Sequence, residues 1–511
     1  MTALSRPTLE VSHRGWLTAS IMLATIMQVL DTTIANVALP HMTASLGASQ
    51  EEITWVLTSY IVASAIATPM TGWLVDRLGA RLLFIVAIAG FTFFSLLCGI
   101  ATGLEEMVLF RVMQGVFGAV LSPLAQSTIL DINPRERMGQ AMAVYGAGIM
   151  LGPIVGPTLG GWLTEDFGWR YVFLVNLPIG ILALLGVAAF MPKTPTKTRR
   201  FDFFGFAMLA LAVGALQLML DRGQAVGWFQ SAEIWIYIGL AISGLWVFGV
   251  HCLTAEDPFI DFRMFRDRNF AMGMLFIFVI GLTLFSGLAL LPPLLQSLLG
   301  YPVITTGIVM APRGVGTMIS MIVVGRLMGK VDARALVLFG LALTMLAFWM
   351  MTGFDTQMDS GPIIWSGLLQ GFGLGFVFVP FSTLTFATLA TKYRGDGTSM
   401  FALVRNVGSG VGISIVTSVL ARMVATNHEE IAGRLTADAP AVRDLVPGLL
   451  AHDQALAAQV DGLVTQQAAM IAYIDNFHLM LIFTALALPI VFLLRTNTGA
   501  AKGPAMPAGD H

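Results

Sequence analysis

The feature that most limits what this chain can fold into is the recurrence, almost from end to end, of apolar runs of about twenty residues or more. A hydrocarbon core of about 30 Å takes roughly 20 apolar residues as a helix, and a membrane strand about ten that alternate in polarity, so runs of this length predict helices. They fall near 15–39, 53–74, 82–102, 106–130, 138–163, 170–191, 203–221, 232–254, 269–297, 303–327, 334–354, 361–390, 398–421 and 473–494. Of 511 residues, 56% are hydrophobic and only 11% charged, with a mean hydropathy of +0.80. The fold class is therefore an all-α polytopic membrane protein with fourteen transmembrane helices. Arg6 and Arg14 precede the first run, which continues past a signal peptide's length with no small-residue cleavage site, so it is expected to anchor the chain and stay.

An even number of spans puts both termini on one side. If that side is the cytoplasm, 20 of the 28 Lys and Arg residues fall in cytoplasmic segments, five fall outside, and Arg111, Arg313 and Arg405 lie within spans. This bias predicts a multi-pass protein with both termini cytoplasmic. The basic stretch Lys193–Arg200 then needs no nucleic acid, and a net charge of −2 gives no general attraction to one. Cys98 and Cys252 stand alone without metal-ligand spacing and read as buried thiols. No GxxxxGK[ST] stretch occurs and the seven His residues are scattered, so no cofactor, metal or catalytic residue is assigned and an enzyme is disfavoured.

Two segments repeat. GWLVDRLGAR, Gly72 to Arg81, closes the second span, and GRLMGKVDAR, Gly325 to Arg334, closes the tenth; RVMQGVFG at Arg111 echoes GLLQGFGLG at Gly367. Duplicated halves are a common transporter plan. The expected organisation is a six-helix bundle over 1–192, an inserted helix pair over 193–256, a second six-helix bundle over 257–497, and a tail over 498–511. The second bundle carries a long extracytoplasmic insert near 424–472, with apolar residues such as Leu445, Leu449, Leu450 and Leu456 at helical spacing. That insert is either a partner-docking hairpin or a plain solvated loop.

Within the first span Gln28, Asp31, Thr32 and Asn36 fall along one side. A carboxylate at mid-helix costs about 2.5–3.5 kcal/mol on insertion scales, so Asp31 is expected to face protein or a wet cavity. Arg111, too deep in span four to be a flanking anchor, is its natural counter-charge, and a mutually dependent pair of this kind suits proton coupling. Gln28, Thr32, Asn36, Gln114 and Gln370 are candidates for a substrate cavity. The second half, lacking an acid in its ninth span, is expected to supply more of the substrate wall through residues such as Phe276, Phe278 and Phe285. In span five, Gly148, Gly152, Gly156 and Gly160 make a smooth face for close helix packing, and Pro153 and Pro157 favour a bend. Gly72, Asp76, Arg77, Gly79 and Arg81 concentrate charge and flexibility at a helix end, where they are expected to latch neighbouring helices.

LDTTIANVALP, GWLVDRLGAR, RVMQGVFGAVLSP and GPIVGPTLGGW, in this order, resemble the signature motifs of the major facilitator superfamily in its fourteen-helix drug:proton antiporter branch, the EmrB/QacA type. LQLMLDRGQ at Leu216 and DPFIDFRMFRDRNF at Asp257 resemble the EmrB side of that branch. The resemblance implies export of hydrophobic drug-like compounds by alternating access, driven by the proton gradient. It implies that Asp31 matches the acid of the proton-coupling motif and Arg111 the basic residue of the fourth-helix motif. It assigns Gly72, Asp76, Arg77, Gly79 and Arg81 to conformational switching, and Gly148, Gly152, Pro153 and Gly156 to the antiporter motif. Ala80 stands where a base is common, and Pro157 where Gly is. EmrB-like pumps work with a periplasmic adaptor and an outer-membrane channel, which the resemblance extends to this chain. A proton symporter or an exporter of one metabolite shares the fold and is the alternative.

Overall fold

The computed structural model describes residues 9–49, 52–134, 137–196, 200–435 and 454–494. Among the described residues, fourteen helices are long and apolar enough to cross a membrane: α1 (Arg14–Ser45), α2 (Glu52–Leu78), α3 (Ala80–Ile100), α4 (Leu104–Ile132), α5 (Met138–Asp166), α6 (Tyr171–Phe190), α7 (Phe203–Arg222), α8 (Ala232–Thr254), α9 (Arg268–Leu298), α10 (Val303–Leu327), α11 (Ala333–Met351), α12 (Gly361–Ala387), α13 (Thr391–Arg434) and α14 (Ala455–Leu493). All backbone pairing inside each span is local, which the bilayer requires. Leu109, Leu185, Trp246 and Trp349 are among the large apolar side chains left exposed, as expected of surfaces facing lipid.

The first six helices pack mainly among themselves, with α1 on α5 and α6, α2 and α3 on α4, and α3 on α6; α9 to α14 do likewise, with α10 and α11 on α12 and α9 on α13. Two antiparallel seams join the halves. Along α5 and α10, Gly139 lies against Met328, Gly325 against Ala143, Gly146 against Met321 and Gly161 against Val303. The other seam brings the end of α2 to the start of α13, where a Cβ on Gly395 would lie 3.4 Å from the Cα of Gly72. Helices α7 and α8 pack on each other, and α7 also lies against α2 and α13. The Thr58 hydroxyl on α2 donates to the Asp221 carboxylate on α7, and the Ser414 hydroxyl on α13 donates to the Leu220 carbonyl at 3.2 Å.

The insert between the last two spans differs from a separate loop. The helix Arg394–Arg434 runs unbroken for 41 residues, about 60 Å at 1.5 Å per residue, twice the hydrocarbon core. The helix Gln454–Leu486 adds 33 more on the return. Both arms of the expected insert are thus continuations of the spans, held together where His428 Nε2 meets Asp461 Oδ1 at 2.9 Å and Asn427 donates to the Ala468 carbonyl at 3.4 Å. Leu445, Leu449 and Leu450 lie outside the described residues, as does the side chain of Phe285. Phe276, expected in a substrate wall, is instead fully buried and stacks on Phe381 at 4.0 Å between ring centroids, within the second bundle's own core; Phe278 is half-buried.

Candidate functional site

The polar side of α1 splits in two. One residue along a helix turns a side chain by about 100°, so Asp31 and Thr32 point in different directions. Asp31, 1% exposed, turns into the first bundle, whereas Asn36 is exposed and Gln28 and Thr32 are half-buried. An exposed amide in the middle of an apolar span is at home only against water or other polar groups, so Asn36 marks a wet surface separate from the carboxylate, whereas Gln28 is half-buried with its Oε1 enclosed.

Around Asp31 five helices converge. Arg111, from α4, donates from Nη1 to Asp31 Oδ2 at 2.6 Å and to Gln114 Oε1 at 2.8 Å, and from Nε to the Val56 carbonyl of α2 at 3.0 Å. Asp31 Oδ1 accepts from Gln114 Nε2 at 3.0 Å and from Asn176 Nδ2, on α6, at 2.9 Å. Asn176 also donates to Ser95 Oγ on α3 at 3.0 Å. The Arg111 guanidinium lies 4.4 Å from the Tyr60 ring centroid and 5.5 Å from that of Phe173. The side chains of Asp31 and Arg111 have no solvent exposure at all. Such a pair is held by geometry: charge-assisted bonds at these distances offset the cost of removing both ions from water, and each ion depends on the other.

The structure therefore brings Asp31 and Arg111 together, and it puts Gln114 in their network. Gln114, a cavity candidate, is fully buried and bonded to both ions, so it does not line a substrate space. Gln370 is likewise buried, in the second bundle, where with Thr283, Thr344 and Thr484 it borders an internal cavity of about 20 Å³, room for one water. Asn176, Ser95 and Tyr60 join the network without having been expected from the sequence. Asn176 had left a signal, a lone amide inside the apolar run VFLVNLPIG.

At the end of the bundle where α1 begins, the short helix Thr71–Leu78 carries Gly72 and Asp76 one turn apart. A Cβ on Gly72 would overlap the Asp396 side chain and come 2.9 Å from the Asp396 nitrogen, so only glycine lets α2 meet α13 here. Gly79 ends the helix at φ 79, where glycine carries no Cβ penalty. The Ala80 N–H donates to Thr194 Oγ1 at 2.7 Å, and Arg81 donates to the Ala188 carbonyl at 2.6 Å, tying this turn to the end of α6; Arg77 is exposed. Nearby, Arg394 of α13 pairs with Asp131 of α4 at 2.7 Å, an ion pair across the two halves that the sequence did not single out.

In α5, Gly148, Gly152, Gly156 and Gly160 all meet α1. A Cβ on Gly152 would lie 2.9 Å from Val29 Cγ1, one on Gly160 3.0 Å from Ile34 Cγ2, and those on Gly148 and Gly156 would overlap Met22 and Thr33. Pro157 lies inside the helix Leu151–Asp166, with Pro153 four residues earlier. The smooth face thus packs α5 inside its own bundle, while α5 meets α10 through Gly139, Gly146 and Gly161. The sequence pattern paired no base with the glutamine of the second half; instead Arg313, 6% exposed on α10, lies beside Gln370 at Gly287 of α9.

Against known proteins, residues 21–413 match the family described as Major Facilitator Superfamily. The chain is 33% identical over 501 residues to the protein named Multidrug export protein EmrB of Escherichia coli (strain K12), covering 97% of this chain and 98% of that one. It is 35% identical over 497 residues to the Fatty acid resistance protein FarB of Neisseria gonorrhoeae, covering 96% and 97%. Among solved structures, the human organic anion transporter MFSD10 (TETRAN) superposes with a TM-score of 0.59 at 17% identity, covering 93% of this chain and 99% of that one. The proton:xylose symporter XylE does so with 0.58 at 15% identity, covering 93% and 96%. Fourteen spans, twelve of them in two joined bundles, the sequence match over most of the chain and relatives of nearly equal length agree: this multi-pass membrane protein belongs to the major facilitator superfamily.

Proposed function

We propose that this protein is a drug:proton antiporter of the bacterial inner membrane that exports lipophilic compounds by alternating access, with both termini in the cytoplasm. The observation that carries the reading is the Asp31–Arg111 pair, wholly enclosed in the first bundle of a chain whose relatives are named for multidrug export and fatty acid resistance. A carboxylate buried at such cost and held by three donors from two other helices is suited to a proton: protonation cancels its attraction to Arg111, and the helices it ties are then free to shift. Gln28, Thr32 and Asn36 supply the polar surface of α1 along which proton and cargo approach. The Gly72–Arg81 turn, resting on the first turn of α13, is the part that rocks, and the glycine face of α5 keeps α5 and α1 moving as one body.

The positive-inside bias supports the orientation. It makes the Arg394–Asp131 pair a cytoplasmic closure, and places the extended arms of α13 and α14 in the periplasm, where a periplasmic adaptor leading to an outer-membrane channel would dock. The test is substrate-driven proton release in inverted membrane vesicles. Addition of a lipophilic substrate to energised wild-type vesicles is expected to collapse part of the proton gradient. Asp31→Asn is expected to remove that response while the protein still inserts. Unchanged coupling in the variant would sink the role of Asp31, and export that persists after the gradient is collapsed would sink antiport altogether.

A further inference from the structure

We propose that the inserted pair α7–α8 travels with the first bundle during transport, so that the external gate on this side of the molecule lies between α7 and α13, closed by Ser414 and Gln217. The proposal rests on the alternating-access reading above and names a surface that must part.

The segment LQLMLDRGQ, which closes α7, sends its groups to three helices. Toward α2 of the first bundle, the Asp221 carboxylate accepts from the buried Thr58 hydroxyl, and the Arg222 guanidinium lies 5.8 Å from the Trp55 ring centroid. Toward α8, Arg222 Nε donates to Glu233 Oε1 at 2.5 Å, and the same oxygen accepts from the Tyr237 hydroxyl at 2.9 Å. Toward α13 of the second bundle, the Leu220 carbonyl accepts from Ser414 at 3.2 Å, and a Cβ on Gly410 would lie 3.4 Å from Gln217 Oε1. Ser414 stands twenty residues along the helix that begins at Arg394, about 30 Å at 1.5 Å per residue, the thickness of the hydrocarbon core. It is therefore at the opposite membrane face from the Gly72–Asp396 contact. There α7, lying against Trp55–Ala67 of α2, stands between the bundles, whereas α13 meets α2 mainly over residues 68–78.

The hold of α7 on its two neighbours is unequal. Against α2 it runs antiparallel, from the Trp73–Phe201 ring contact of 4.6 Å just ahead of its first turn, through Ile66, whose Cδ1 lies 3.1 Å from the place of a Gly214 Cβ, to Asp221 and Arg222. That side has an ionised acceptor and a cation near an aromatic ring, and hydrogen bonds to ionised groups are roughly twice as strong as neutral ones. Against α13 it makes a neutral hydroxyl–carbonyl bond and faces a glycine, which offers no side chain to interlock. A helix held more firmly on one side stays with that side when the two part. At the other membrane face the Asp202 carboxylate, just before α7, accepts from the Phe259 N–H of the segment leading into α9 at 2.9 Å, on the face where Arg394 meets Asp131. The bundles therefore part from the external end along α7 and α13, and pivot about the cytoplasmic one.

The experiment uses the full chain in lipid nanodiscs, with pairs of spin labels read by double electron–electron resonance. A label on Gln230→Cys, exposed between α7 and α8, is paired either with one on Glu105→Cys, exposed at the same end of the first bundle, or with one on Gln357→Cys, exposed at that end of the second. Cys98 and Cys252 are buried and take little label. Between acid and alkaline pH, and between the native carboxylate and Asp31→Asn, the pair with Gln357 is expected to gain a second distance while the pair with Glu105 keeps one. A second distance in the Glu105 pair, or a single distance in both, would overturn the proposal. In inverted vesicles, a short reducible thiol cross-linker between Gln217→Cys and Gly410→Cys is expected to cut export at least fivefold, with recovery on reduction. The same linker between Ile66→Cys and Gly214→Cys is expected to leave export within twofold. Each pair is its own control, since export is read before linking, after it and after reduction; the reverse pattern would overturn the proposal. Distances that split as expected in a protein whose vesicles export nothing would keep the gate and refute the export reading. Export that survives both cross-links would keep the export reading and refute the gate.

Discussion

At the scale of single residues, the Asp31 network ranks its members by what each leaves behind when removed. Arg111→Ala strands a carboxylate with no water to solvate it, which typically costs about 3–5 kcal/mol. That variant is expected to unfold at a markedly lower temperature in detergent, followed by tryptophan fluorescence. Asn176→Ala removes one bond to a charged oxygen and is expected to cost about 1–3 kcal/mol while leaving the Asp31–Arg111 contact in place. The two together should cost less than the sum of the singles, because both act on one carboxylate. A sum equal to or above additivity would separate Asn176 from the network. The pair itself was legible in the sequence, since two opposite charges stranded in apolar helices have few partners to choose from. Asn176 and the inward turn of Gln114 were not, because their direction depends on how α4 and α6 are rotated about their own axes.

At the scale of helices, glycine spacing gives sharper expectations than polarity. Gly152→Val pushes a branched side chain into Val29 and is expected to destabilise α5 against α1 by about 1–3 kcal/mol, read as a lower Tm and reduced membrane yield. Gly249→Ala, on α8 where nothing lies within 4 Å of the new methyl, is expected to be neutral or slightly stabilising through helix propensity alone. A smaller loss for Gly152→Val than for Gly249→Ala would contradict the close packing of α5 on α1. Asp202 is a further element-scale device: its carboxylate caps α7 through the Gly205 N–H at 2.8 Å, accepts from the Phe259 N–H at 2.9 Å and meets His251 Nε2 at 2.8 Å. Asp202→Ala is expected to cost about 1–2 kcal/mol and to loosen α8 from α7, seen as faster amide exchange at the start of α7. The small-residue face of α5 was visible from spacing, but its partner was not. Spacing says that a helix has a smooth side and is silent on which neighbour fills it.

At the scale of the whole molecule, the halves are held at one end by Arg394–Asp131 and by the Gly72–Asp396 contact. Removing the charge with Arg394→Gln is expected to shift the population toward the state closed at the opposite end. The measurement is maleimide labelling of Asn36→Cys, against a background kept low because Cys98 and Cys252 are buried. Labelling from the external side should fall several-fold in Arg394→Gln and recover in the charge-swapped pair Asp131→Arg with Arg394→Asp. Labelling unaffected by Arg394→Gln would show that the ion pair does not set the balance. By itself, the sequence determined that the chain crosses the membrane fourteen times. It also determined which way the basic loops bias it, and that a carboxylate and a guanidinium had to share a bundle. Those follow from the cost of exposing peptide groups and charges to hydrocarbon, a cost each segment meets alone. Only the tertiary structure decided that Asp31 and Asn36 face different surroundings, that α7 touches both halves, and that Arg394 of one half pairs with Asp131 of the other. Those depend on helix rotation and on contacts between residues hundreds of positions apart, which no local pattern of polarity encodes.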